Sequence, residues 1–264
     1  MWQIIEEKNN FNDRFSRWRA NDQLAGYPWV QNVHTPFTPM RRALPMLNLA
    51  LISSAGAYID GTEPFDTESR DGDLEFREIP VEVGADELRY AAKNYDPANV
   101  QTDRNCQIPI DRLIEYQQNA VIGALNSVWW SISSHIPNAS RVAEELGPKL
   151  AERLQRYETQ AALLIPASRL CHQTLGIIAR VMEQSGIPTM IISVDPNLTD
   201  RVKPPRTAYY NGEFGSVAGK PNWREYQLRI LDEALRWTET IDQPGSRKLA
   251  VDLESQVEAA RGER

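Results

Sequence analysis

The sequence predicts an α/β fold, mainly a parallel sheet covered by helices, on three observations. Continuous apolar runs at 47–53, 161–165 and 189–194 have the length of strands. Their unbroken apolar character suits strands buried on both faces, as in the middle of a parallel sheet. The last two runs enclose a helical spacing of Leu175, Ile178 and Met182, ended by Gly186-Ile-Pro. Strand, helix and strand at this spacing make a βαβ unit.

Taken in order, residues 1–27 are polar with spaced aromatics (Trp2, Phe11, Phe15, Trp18) and read as an amphipathic helix docked on a body or partner. Residues 27–45 are rich in Pro and Thr and read as an ordered loop. The strand at 47–53 ends in Ala55-Gly56-Ala57, small residues that allow close backbone approach. A charged turn-rich stretch, 61–73, precedes a short strand at 76–81 and a helix at 85–92. Pro109 opens a helix to Asn119, with Ile110, Leu113 and Ile114 on one face. A long amphipathic helix spans 139–157, interrupted at Gly147-Pro148. After the βαβ unit, 202–221 returns to loop, and 225–240 is a last helix. The organisation expected is an arm (1–45), an α/β body (46–240) and a charged tail (241–264). The body is Rossmann-like or flavodoxin-like, with room for two similar halves meeting near 125–160.

A formal net charge of −7 and a pI of about 5.2 argue against a general nucleic-acid binder, which needs a basic footprint. The N-terminus lacks the pattern of a signal peptide, and the apolar runs are too short to span a bilayer. Two cysteines, Cys106 and Cys171, are too few for a secreted disulfide scaffold, so reduced thiols in the cytoplasm are expected. These cysteines and the three histidines (His34, His135, His172) show no metal-ligand spacing.

In open α/β sheets ligands bind beyond the carboxyl ends of strands. Two loops qualify. The first, Ser53-Ser-Ala-Gly-Ala, offers Ser53, Ser54 and Gly56 to a substrate. The second, Pro166-Ala-Ser-Arg-Leu-Cys-His-Gln-Thr, offers a thiol, a hydroxyl, an imidazole and a guanidinium. Cys171 lies near a helix start, where the dipole and free N–H groups lower a thiol pKa and favour the nucleophilic thiolate; a free cysteine is equally at home packed in a core. Arg169 has the planar fork that clamps a carboxylate. His172 and Thr174 complete a candidate substrate-binding set. His172 does not become a base for Cys171 by adjacency, because helix neighbours point about 100° apart. Asp60 and Glu63, after the first strand, and Asp103, before the helix at Pro109, are candidate acid/base groups. The duller alternative for each is a solvated loop or a turn. Cys106 reads as a packing residue.

At these residues the sequence resembles the substrate-specific selenoprotein B subunits of glycine, sarcosine and betaine reductases and the related subunit of D-proline reductase. The matching pieces run in shared order over roughly 35–240: Leu49-Ala-Leu-Ile-Ser-Ser-Ala-Gly-Ala, Phe76-Arg-Glu-Ile-Pro, Asn94-Tyr-Asp, Asp103-Arg-Asn with Pro109-Ile-Asp-Arg-Leu, and Val121-Ile-Gly. Then come Leu164-Ile-Pro-Ala-Ser-Arg-Leu-Cys-His-Gln-Thr, Gly186-Ile-Pro-Thr, Pro204-Pro-Arg and Gly219-Lys-Pro-Asn. The resemblance implies reductive cleavage of a carbon–heteroatom bond in a small carboxylate-bearing molecule. It makes Cys171 the nucleophile and gives Ser168 a hydrogen bond to the reacting group. Members of the D-proline reductase type carry selenocysteine or cysteine at the place of Ser168, and a histidine at the place of Asn94. With Ser168 the two-chalcogen bridge of a reductive cycle cannot form, and the resemblance is to a non-selenocysteine member. Relatives work beside a companion subunit bearing a pyruvoyl group. No cofactor is assigned to this chain, and an external thiol or that companion's group would complete the chemistry. The expected partners are a small-molecule substrate and a companion subunit or a second copy, not nucleic acid or membrane. Two other readings stay open: a non-redox subunit or binding protein that kept the pocket, and a one-thiol decarboxylase or isomerase related to the aspartate/glutamate racemase superfamily.

Overall fold

A computed structural model describes residues 3–20 and 23–251. In chain order the elements are α1 (Lys8–Arg17), β1 (Asn48–Ser53), β2 (Ala57–Ile59), β3 (Arg77–Pro80), β4 (Leu88–Tyr90), α2 (Ala98–Thr102), α3 (Ile110–Gln118), β5 (Ala124–Leu125) and β6 (Val128–Ser131). There follow α4 (Ala139–Arg141), α5 (Gly147–Arg156), β7 (Ala161–Ile165), α6 (Arg169–Gln184), β8 (Thr189–Ser193), α7 (Pro196–Val202), β9 (Arg206–Tyr209), α8 (Arg224–Thr240) and β10 (Gly245–Lys248).

Eight strands form one sheet in the order β10-β9-β8-β7-β1-β6-β3, with β5 also paired to β1. All these pairings are parallel except β3 on β6. The three apolar runs read from the sequence are its centre: Leu51 stands beside Leu163, and Leu163 beside Met190. Alternation along each strand divides the core. Leu49, Leu51, Leu163, Ile165, Met190 and Ile192 face α3 and α8, while Ala50, Ile52, Ala162, Leu164 and Ile191 face α5 and α6. Both faces are therefore covered, as the continuous hydrophobicity requires.

Several elements differ from expectation. The segment 85–92 is a single 3₁₀ turn, Ala85–Glu87, followed by β4, which pairs antiparallel with β2. Glu87 closes that turn by accepting the Gly84 N–H at 2.9 Å, and Leu88 then pairs with Ile59 in place of further helix. The helix from Ala139 is not broken at Gly147-Pro148. A π-turn, Val142–Leu146, carries it into α5, which absorbs the missing N–H of Pro148. The stretch 202–221 contains β9, and the tail contributes β10. The rest of the tail, 252–264, lies outside the described residues, as does Trp2.

The N-terminal helix is shorter than the aromatic spacing suggested, and most of the arm is extended chain. It lies across α6, nearly every residue of which is buried. Three buried polar side chains of α6 hold the arm. Gln173 accepts from Val30 N–H at 2.8 Å and donates to the Tyr27 hydroxyl at 2.7 Å. Arg180 donates to the carbonyls of Gln3, Ile4, His34 and Lys203 at 2.7–2.9 Å. Glu183 accepts from Thr38 N–H and from Arg206, 2.6 Å away in a fully buried ion pair. Burial pushes the Glu183 carboxyl up to about 7, against the pull of Arg206 and the N–H donors of Thr189 and Thr38.

Candidate functional site

The carboxyl ends of β1, β6 and β7 converge on the start of α6. Ser168 is the N-cap: its backbone is extended, and its hydroxyl accepts the Cys171 N–H at 3.2 Å. That bond fixes where the first turn begins and therefore where the thiol points. Cys171 Sγ donates to the carbonyls of Ser54 at 3.5 Å and Ser134 at 3.3 Å, so two neighbouring strand ends hold it. The Ser54 hydroxyl accepts from Ala167 N–H at 3.2 Å, tying the two loops read from the sequence to each other. Gly56 is required by its geometry. Its φ is +66°, and a Cβ would stand 2.6 Å from the Ala91 carbonyl oxygen.

The electrostatics differ from the expected activated thiolate. Cys171 is 1% exposed, and burial pushes its thiol up despite hydrogen bonds from Ser168 and Ser54. Desolvation outweighs the helix start, because the sulfur sits inside the core and not in solvent beyond the helix end. His172 is locked. Its Nδ1–H donates to the Ser168 carbonyl at 2.7 Å, and its Nε2 accepts Val194 N–H at 3.1 Å. Burial holds this imidazole neutral, its pKa lowered to about 4. It pins the end of β8 to the cap of α6 and leaves no nitrogen for a substrate.

The other residues singled out are spread. Ser53 bonds the Gln107 carbonyl at 3.3 Å beneath the site. Thr174 bonds back to the Leu170 carbonyl at 3.2 Å within α6. Arg169 pairs with Asp195 at 3.1 Å and lies over the Trp29 ring, 5.4 Å from its centroid. Asp60 pairs with Arg89 at 2.7 Å on the surface, and Glu63 lines a surface groove with Asp73 and Arg153. Asp103 caps the turn before α3 and accepts from Asn105, Asn222 and Gln227. Burial works to raise its pKa, and these hydrogen bonds bring it below the ordinary value. His34 is exposed beside Glu6.

Two residues beside the thiol, Ser134 and Tyr95, are not singled out as site members in the sequence, and Asn94 next to Tyr95 is noted there only for the family's histidine. Ser134 supplies a carbonyl to Cys171, and its hydroxyl bonds Ala91 and Lys93. Tyr95 donates to the Ala55 carbonyl at 2.6 Å, and burial, then the neighbouring Cys171, raises its phenol pKa. Asn94, in a left-handed conformation at φ 66°, holds the Nδ1 of His135 at 2.9 Å. The available signal was the run Ser131-Ile-Ser-Ser-His directly after the buried Trp129-Trp130: a strand followed by small polar residues, the same pattern as after β1.

No family model matches the sequence, and no solved structure matches it. Two relatives do. The gamma subunit of D-proline reductase from Acetoanaerobium sticklandii is 29% identical over 209 residues, 79% of this chain and 85% of that one. The gamma subunit of glycine reductase complex component B from Symbiobacterium thermophilum is 26% identical over 176 residues, 62% of this chain and 38% of that one. Over most of its length the chain is similar to these D-proline reductase and glycine reductase component B subunits. Both relatives are named as subunits of reductases. The chain spans well under half of the glycine reductase relative. Ser168 and Cys171 occupy the N-cap and third residue of α6, about one turn apart. Among the described residues, no helix is long and apolar enough to cross a membrane.

Proposed function

We propose that this chain is a subunit of a reductase complex that cleaves a carbon–heteroatom bond in a small carboxylate-bearing molecule, with Cys171 as the nucleophile. The observation that carries this reading is the seat of Cys171, held at the meeting of three strand ends by the Ser54 and Ser134 carbonyls and oriented by the Ser168 cap. The net reaction takes R–X to R–H and H–X with two electrons and two protons. An external dithiol, oxidised to its disulfide, supplies both, because Ser168 cannot close a bridge with Cys171. A pyruvoyl group, where one takes part, belongs to the companion chain. In the closed state the thiol is protonated and covered, so turnover requires the loops around it to part, by substrate or by the companion subunit. Candidate substrates are D-proline and glycine, the molecules in the relatives' names. The test is reductive turnover of each, with a companion subunit and a dithiol, by wild type and Cys171→Ala. Activity that survives in Cys171→Ala sinks the thiol mechanism.

The burial of Cys171 and its raised pKa also favour a second reading, a non-redox subunit that kept the pocket. Alkylation of Cys171 as a function of pH separates the two. An inflection below the ordinary thiol range in the assembled complex supports catalysis, and an inert thiol there supports the binding subunit.

A further inference from the structure

Resting on the proposed thiol chemistry, we infer that a cleft beyond the carboxyl end of β9 is the entry site for a small carboxylate, with Lys220 as the cation that receives it. Arg169, the residue expected to clamp an anion, is paired to Asp195 and stacked on Trp29. Lys220, whose ammonium lies over the Trp223 ring 5.7 Å from its centroid and pairs with no carboxylate among the described residues, lines a cleft of 310 Å³ between α2, α8 and the loop joining β9 to α8. Asn99, Asn211 and Ser216 add polar groups, and Tyr210 and Tyr226 add aromatic surface. This is the size of a small-ligand site, at the edge of the sheet where α/β proteins bind ligands.

The same loop reaches from the cleft to the Cys106 thiol and to the start of α6. Ser216 lines the cleft, and its neighbour Gly215 accepts from the Cys106 thiol at 3.7 Å. Gly215 N–H donates to the Ala167 carbonyl at 2.8 Å, next to the Ser168 cap. Phe214 packs edge-on against His172, ring centroids 5.6 Å apart. The loop that lines the cleft therefore also contacts the Cys106 thiol and the backbone just before α6. Glu213 also lines the cleft, so the charge it presents to an anion is the balance of Lys220 against Glu213.

The test uses two small alkylating agents of nearly equal size, bromoacetate, which carries the carboxylate, and bromoacetamide, which does not. Their rates at Cys106 and Cys171 are measured on the folded full-length chain by peptide mass spectrometry. The bromoacetate-to-bromoacetamide ratio is compared with that of free glutathione. The ratio in wild type should exceed that of glutathione. Lys220→Met should lower it about five- to tenfold, the order expected for one partly screened charge, and Glu213→Gln should raise it. The bromoacetamide rate should be unchanged in both, which a merely structural effect would not allow. A ratio indifferent to Lys220→Met overturns the inference, and so does labelling of either thiol no faster than global unfolding. In Cys171→Ala, the Lys220-dependent labelling should persist at Cys106, so failure of the Cys171 mechanism and failure of the entry site give different results.

Discussion

Cys171 and Ser168 are one capping motif before they are anything else, and the two roles can be separated by substitution. Cys171→Ala should abolish turnover with the circular dichroism spectrum intact, and Cys171→Ser should be nearly as damaging, because a hydroxyl needs a dedicated base. Ser168→Ala should cost about 1 kcal/mol of stability through the lost cap. Its activity should fall about ten- to a hundredfold if the hydroxyl also bonds the reacting group. Ser168→Cys places a second sulfur one turn from the first and should yield an intramolecular disulfide on oxidation, visible by mass spectrometry. His172 gives a pH prediction. Its pKa is about 4 in the folded chain against an ordinary 6.5, so between these values the unfolded chain binds the extra proton. Its contribution is present in full above pH 6.5 and is lost as pH falls towards 4, a change of about 3 kcal/mol. Glu183, raised to about 7, acts in the opposite sense: its contribution is present below its ordinary 4.5 and is lost as pH rises through 7. The comparison is therefore between wild type and His172→Gln. Urea unfolding at pH 4.5 and 7 should show the larger acid loss in wild type, and parallel losses would refute the assignment.

At the scale of elements, α6 is unusual in being buried on every side, and its polar residues explain how. A helix with the arm laid over its outer face would bury unsatisfied backbone in the arm unless the helix supplied partners. Gln173, Arg180 and Glu183 supply them. The Glu183–Arg206 pair joins α6 to β9 with no solvent contact. Removing Arg206 takes away the cation that holds down the Glu183 pKa, so in Arg206→Met the buried carboxyl takes up a proton and loses its ion pair, and the variant should be destabilised, more at pH 8 than at pH 5. The double variant Glu183→Gln/Arg206→Met should recover a large part of that loss in chemical denaturation. Strictly additive losses would mean that the two residues are not coupled. This pair also explains why β9 was hidden from the sequence reading. The strand is announced by Pro204-Pro-Arg, which reads as loop, and its arginine is tolerated in the interior only because Glu183 and the Phe37 ring meet it there.

For the whole molecule, the arm is part of the core and not an appendage. Phe11, Phe15, Trp18, Tyr27 and Val30 belong to the same buried cluster as Ile178 and Val181 of α6. Deleting residues 1–38 should therefore expose an apolar helix face together with Arg180 and Glu183. The truncated chain should lose its cooperative thermal transition or aggregate, where a detachable arm would leave the melting temperature unchanged. If the proposed function holds, binding of a companion subunit is what should open the thiol site. Faster hydrogen exchange of the Gly215 amide on adding a companion subunit would support this, and unchanged exchange would count against it.

The sequence by itself determined the centre of the sheet, the βαβ unit and the position of the candidate thiol. Runs such as Ala161–Ile165 are apolar on both faces, and only a central parallel strand buries both. It also marked Gly56, where the backbone of β1 turns against Ala91. What the tertiary structure alone decided is what surrounds that thiol. A helix start lowers a thiol pKa only when the sulfur faces solvent or charge, and here the Ser54 and Ser134 loops, distant in sequence, close over it and reverse the direction of the shift. The fates of Arg169 and Lys220 were likewise beyond local reading. One is taken up by Asp195 and Trp29; the other lies over the Trp223 ring and lines a cleft whose other walls, Asn99 and Tyr210 among them, come from distant parts of the chain.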